Sequence, residues 1–199
     1  MNPKRHGNSF EWEVCGSFSR FWSKGARGDL FGRTDSSGGR ATTRAKTGQE
    51  TEGQFGDMCA TADEGKIVER NWHVELKTGY SQKRKQALDK RKVLTNWCIL
   101  DLIDTTQKLT VFEEFWLQCL EGANHTGREP ILVFRRTRLQ KCIAFEYDYF
   151  SYLMDYFGNP PIETPFIHIE TLDYSIVIML LTNFFTWLEP SELLFRRKQ

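Results

Sequence analysis

Phe10, Val14, Phe18 and the Phe21/Trp22 pair recur at three- to four-residue spacing, which predicts an amphipathic helix from a Ser9 cap to about Lys24, ended by Gly25 and Gly28. Leu30–Thr34 is a short strand candidate. Residues 35–52 then lack large apolar side chains and are rich in Gly, Thr, Arg and Lys, the pattern of a long functional loop. Phe55–Ala62 and Trp72–Lys77 read as two strands joined by a hairpin turn at Ala62–Lys66. Helical spacing returns at Thr110–Gly122 through Phe112, Phe115, Trp116 and Leu120. The apolar run Ile131-Leu132-Val133-Phe134 makes Pro130–Thr137 a strand, with Lys141–Tyr147 its hairpin partner. Asp148–Phe157 reads as a helix stopped by Gly158-Asn159-Pro160-Pro161, and Phe166–Glu170 as a strand. The last apolar segment, through Leu188, reads as a strand running into a helix that ends at Glu189-Pro190. This alternation predicts an α/β fold with a central mixed sheet flanked by helices.

Composition narrows the class. The 199 residues fit one domain, with a core over about residues 9–147 and an extension over about 148–199 that packs on it. Charge is uneven. Residues 1–92 carry 18 Lys/Arg against 12 Asp/Glu, and residues 93–199 carry 9 against 14. The basic half suits a polyanionic partner; two halves that attract each other are the alternative. The five cysteines form no Cys-x-x-Cys pair, which argues against a zinc knuckle or a disulfide framework and for reduced thiols in an intracellular, cytoplasmic protein. The basic start has no signal-peptide core, and the thirteen-residue run Ile176–Leu188 is shorter than the ~20 residues of a membrane helix.

The chemistry concentrates at Gly56-Asp57 and, eighteen residues after Asp57, at Glu75-Leu76-Lys77. Phosphodiester hydrolysis needs an attacking water, charge on the phosphoryl oxygens and help for the leaving group, all of which a divalent ion can supply. Mg²⁺ takes hard oxygen ligands, and Asp57, Glu75 and the Leu76 carbonyl offer them. Glu75 and Lys77, two apart on a strand, share a face, so the ammonium lies beside the ion. Glu-x-Lys by itself is uninformative, since Glu64-Gly65-Lys66 is a second copy, but that copy falls in a predicted turn.

The wider arrangement resembles the PD-(D/E)xK nuclease superfamily, especially its Holliday junction resolvases and related phage nucleases. The resemblance runs from about Phe10 to Tyr80 and more weakly to Tyr147. It is carried by a first helix bearing Glu, the Ser37-Gly38-Gly39 loop, Gly56-Asp57 and Glu75-Leu76-Lys77. A helix with Trp116-Leu117-Gln118 and the Pro130–Phe134 strand follow in the family's order. Gly56 stands where the family has Pro, a substitution read as chemically silent. The resemblance implies a restriction-endonuclease-like core, Asp57 and Glu75 as metal ligands with the Leu76 carbonyl, and Lys77 as catalytic lysine. The family's helix carboxylate falls on Glu11 or Glu13. Glu11 is preferred because it shares a face with Cys15, Phe18 and Trp22, whereas Glu13 lies with Ser17 and Arg20.

DNA contacts are expected from Arg33, Ser36, Ser37, Arg40, Arg44 and Lys46 in and around the Gly-rich loop, and from Lys83, Arg84 and Lys85 in the basic run up to Lys92. No P-loop, His-Glu-x-x-His or Gly-x-Ser-x-Gly motif is present. His6, His73, His125 and His168 read as surface or satisfied core positions. The expectation is a Mg²⁺-dependent endonuclease, with Mn²⁺ as a substitute, acting on branched DNA as a homodimer away from any membrane. The resemblance to phage nucleases adds a phage origin. A duplex-cutting restriction or repair nuclease and a non-catalytic DNA-binding protein are the alternatives.

Overall fold

Helix α1 runs from Pro3 to Trp22, so the predicted start at Ser9 is corrected. Proline at the first helical position has no N–H to satisfy and a φ already suited to a helix, so the helix can start ahead of Ser9. Phe10, Val14, Cys15 and Phe18 form its buried stripe. It ends as Lys24 and Gly25 turn left-handed, at φ 52° and 88°, and the Gly25 N–H closes on the Arg20 carbonyl at 2.7 Å. The structure, a computed structural model, describes residues 3–34, 56–78, 102, 110–136 and 138–190.

Strands β1 (Phe31–Arg33) and β2 (Met58–Ala60) pair antiparallel in a small ribbon, with Gly32 opposite Cys59. A 3₁₀ turn (Asp63–Gly65) and helix α2 (Lys66–Asn71) lead from β2 to β3 (Trp72–Thr78). The predicted hairpin between the two site strands is therefore corrected: β2 pairs with β1, and β3 joins another sheet. The reason is local. Val68 anchors α2 in the core, and Glu69 Oε2 accepts the Ala60 N–H at 3.0 Å, so this connection folds as a helical turn.

Helix α3 (Val111–Thr126) begins at a capping box, in which Thr110 Oγ1 accepts the Glu113 N–H and Glu113 Oε2 accepts the Thr110 N–H. It ends at Gly127, in the left-handed region at φ 65°. Then follow β4 (Glu129–Arg135), β5 (Lys141–Glu146), α4 (Tyr147–Phe157), β6 (Phe166–Glu170), β7 (Ser175–Leu180) and α5 (Leu181–Trp187). The main sheet has the order β3-β4-β5-β7-β6, with β3 and β4 parallel and the other pairs antiparallel. This is the α/β architecture with a mixed sheet and flanking helices that the alternation predicts, consistent with a restriction-endonuclease-like core.

Strand alternation divides the core in two. Val74, Leu76, Ile131, Val133, Ile143, Phe145, Val177 and Met179 join residues of α1, α4 and α5 on one face. Leu132, Phe134, Ala144, Ile176 and Ile178 pack with Phe112, Phe115, Trp116 and Cys119 of α3 on the other. Because side chains alternate, His73, Glu75 and Lys77 face the α3 side while their neighbours Val74 and Leu76 face α1.

Candidate active site

Strand β3 lies at one end of the sheet, and Asp57 lies along its outer edge. The Asp57 N–H donates to the Val74 carbonyl at 2.8 Å, and the Leu76 N–H donates to Asp57 Oδ2 at 2.9 Å. The segment before β2 thus reads β3 through its backbone, although the two strands are in different sheets. Thr34 Oγ1 and N–H fix the turn further by donating to the Gly56 and Asp57 carbonyls at 2.6 and 3.3 Å.

Gly56 is what permits this approach. Its φ is +78°, and a Cβ there would stand 2.6 Å from the Val74 carbonyl oxygen. Proline, confined to φ near −65°, cannot take this conformation. The substitution of glycine for proline, read as chemically silent because this residue does not ligate, is not conformationally neutral: in this chain the glycine is a geometric requirement for placing Asp57.

Glu75 is 8 % exposed, as is Asp57. Lys77 Nζ donates to Glu75 Oε2 at 2.7 Å, and the same ammonium lies 5.9 Å from the Phe115 ring centre on α3. Burial drives the Asp57 carboxyl up to about 7, reinforced by the negative charge of Glu75; Lys77 and the Leu76 N–H only partly oppose this, and Glu11 adds to it. Burial also pushes Glu75 up, but His73 and Lys77 at its two oxygens outweigh burial and hold it well below the usual carboxylate range. The two acids are thus split: His73 and Lys77 hold Glu75 ionised, while at Asp57 burial and the Glu75 charge outweigh Lys77.

The first helix brings both candidate glutamates to this side of the fold. Glu11 forms an ion pair with Arg33 on β1 and contributes to the field at Asp57. Glu13 instead bridges Arg135 at 2.7 Å and Lys141 at 2.9 Å. Burial of Glu13 is more than offset by Lys141 and Arg135, which lower its pKa. Arg33, expected on phosphate, holds Glu11 here. The other expected DNA contacts, Ser36, Ser37, Arg40, Arg44, Lys46, Lys83, Arg84 and Lys85, lie outside the described residues.

His73, expected at a surface or satisfied core position, is neither exposed nor satisfied among the described residues. It is buried on the face of Glu75, with Nε2 3.5 Å from Glu75 Oε1. The two-residue spacing of His73, Glu75 and Lys77 on a strand was the signal that could have found it.

Asp57 and Glu75 offer hard oxygen donors, and the Leu76 carbonyl points to the same edge as the N–H that Asp57 accepts. No group of three or more His, Cys, Asp or Glu able to hold a metal occurs among the described residues. Two carboxylates with a backbone oxygen suit a cation such as Mg²⁺, which retains several of its waters. The fit is also electrostatic: a divalent charge would offset the burial and, after it, the Glu75 repulsion that together keep the Asp57 carboxyl high.

No helix among the described residues is long and apolar enough to cross a membrane. Comparison with protein families matches residues 92–194 to the family described as "Phage putative PDDEXK endonuclease". Neither the curated proteins nor the solved structures contain a match to the chain. The matched stretch begins after Lys77 and takes in α3 through α5, so it does not draw on Asp57, Glu75 or Lys77. Two separate parts of the sequence thus point to one superfamily, the first through its acids and lysine and the second through the elements behind them. The chain belongs to this phage PDDEXK endonuclease family, and with it to the PD-(D/E)xK nucleases.

Proposed function

We propose that the protein is a Mg²⁺-dependent deoxyribonuclease, one nuclease domain over residues 1–199, that cuts branched DNA and works as a homodimer. The observation that carries the reading is the convergence of Asp57 on β3 beside Glu75 and Lys77, with one acid raised and the other lowered. Asp57, Glu75 and the Leu76 carbonyl would hold the ion. When bound, the ion supplies positive charge that polarises the phosphoryl group and acidifies water. Lys77, whose ammonium is kept beside Glu75, orients the attacking water and offsets charge developing on the phosphoryl oxygens. The Phe115 ring at its side limits the water competing for that ammonium. Glu11 is the helix carboxylate of the set. Its negative charge reaches Asp57, whereas Glu13 is taken up by Arg135 and Lys141.

Branched DNA is favoured by the family resemblance to junction resolvases. Such substrates present two equivalent strands, and a twofold pair of active sites matches that symmetry. Edge strand β6 exposes Phe166 and Ile167, a surface suited to pairing two copies.

The test is cleavage of a four-way junction and of linear duplex with the same sequence, with Mg²⁺, Mn²⁺ or chelator, by wild type and Asp57→Asn. The reading predicts metal-dependent cuts concentrated at the junction and abolished in Asp57→Asn. Equal cutting of linear duplex would make the protein a duplex nuclease. Binding without metal-dependent cuts would make it a DNA-binding protein of this fold.

A further inference from the structure

Two costs in the fold meet at one imidazole. His73 is 4 % exposed, and neither ring nitrogen makes a hydrogen bond within normal limits among the described residues. A buried polar group left this way is unfavourable, because it has given up water without gaining a partner. The ring also rests on Gly122 in the middle of α3, where a Cβ would come within 2.3 Å of Nε2. Glycine inside a helix is less favourable than alanine, because it gives up more backbone freedom. The helix is bare at the one place where the ring needs room.

What the ring faces explains both. Lys77 holds Glu75 Oε2 at 2.7 Å, and His73 Nε2 stands 3.5 Å from Oε1, the other oxygen of the same carboxylate. That gap is too long for a hydrogen bond, and a shift of a few tenths of an ångström would close it. Ligating carboxylates are characteristically held by neighbouring donors, which fix their plane.

We propose that His73 is a positioning residue for Glu75: its Nε2–H donates to Oε1 while Lys77 holds Oε2, which pins the plane of the carboxylate for a divalent cation shared with Asp57. Gly122 is the part of α3 that admits the ring. The proposal deepens the metal-site reading above and rests on it.

The experiment is direct titration of the full-length protein with Mn²⁺ and no DNA, read by electron paramagnetic resonance of the free ion and by calorimetry. Variants are His73→Leu, His73→Gln, Gly122→Ala and Asp57→Asn. His73→Leu removes the donor, and Gly122→Ala displaces the ring without changing its chemistry. Each is expected to weaken Mn²⁺ binding about 10-fold or more, while His73→Gln, which restores an N–H donor, stays within about 3-fold of wild type. A purely structural histidine would lower the melting temperature in both variants and leave the dissociation constant where it was. Wild-type affinity in either folded variant overturns the proposal, as does a His73→Gln as weak as His73→Leu. Should His73→Leu fail to fold, Gly122→Ala decides alone. Asp57→Asn separates the two claims: if it binds Mn²⁺ as wild type does, the metal site itself is misplaced, whereas loss there with unchanged His73→Leu removes only the role of His73.

Discussion

Asp57 and Lys77 carry opposite predictions from one electrostatic arrangement. Lys77→Met removes the ammonium from Glu75 and, on the proposed mechanism, from the phosphoryl oxygens. It should slow DNA cleavage by at least about 100-fold, measured under single-turnover conditions, with DNA affinity changed far less. Asp57 sets the pH response of the metal-free protein. Its carboxyl titrates near 7 in the fold against an ordinary value of 3.8, so the fold favours the neutral form. Stability from this group is complete below that ordinary value and is lost as pH rises through about 7. Glu75 behaves the other way: its lowered pKa contributes above its ordinary 4.5 and is lost only as the solution becomes strongly acidic. Between about pH 5 and 7, Asp57 therefore sets the slope, a loss on the order of 1 kcal/mol per pH unit. Denaturant melts across this range should show that decline in wild type and a flatter profile in Asp57→Asn. Mn²⁺ affinity should move oppositely, rising with pH to about 7, because the proton must leave before the ion binds.

Elements place these residues through a few local devices. Gly56→Ala would drive a Cβ into the Val74 carbonyl at a positive φ. It is expected to cost about 2 kcal/mol or more by chemical denaturation and to weaken Mn²⁺ binding, since the same turn aims Asp57. Gly56→Pro should be no better, although proline is the family's residue. Helix α3 backs the site with Phe115 beside Lys77 and Gly122 beneath His73. Thr110→Ala removes half of its capping box and should cost about 1 kcal/mol of stability with the cleavage rate per folded molecule unchanged. The capping box was readable as Thr110-x-x-Glu113, whereas α2 was not. Its six residues are held by a single buried Val68 and a Glu69 bond to another strand, and neither leaves a periodic signal.

At the scale of the molecule, the antiparallel run β4-β5-β7-β6 leaves β6 at the far end of the sheet from β3. Phe166 and Ile167 on it are 45 % and 46 % exposed. If this edge pairs two copies, Ile167→Lys should shift the protein from dimer to monomer in sedimentation velocity. Symmetric double cuts at a four-way junction should fall in step. Those cuts should be spared if the wild type is already monomeric, which would remove the homodimer from the reading. Arg135 and Lys141, now joined to Glu13 at the rim of β4 and β5, are a basic pair within the same fold as the site.

The sequence by itself determined the helices and strands whose apolar spacing is unambiguous and the mixed α/β class, and it singled out Asp57, Glu75 and Lys77 as candidates. These follow from periodicity and from residue types, which are properties of neighbouring positions. Only tertiary structure decided that β2 belongs to a separate ribbon, that Asp57 reaches β3 through its own backbone, that Gly56 takes a positive φ against Val74, and that His73 faces Glu75 over a bare turn of α3. Each of those depends on which surfaces meet after long loops close. The free energy of such meetings is spread over contacts between segments distant in the chain, so no local pattern records it.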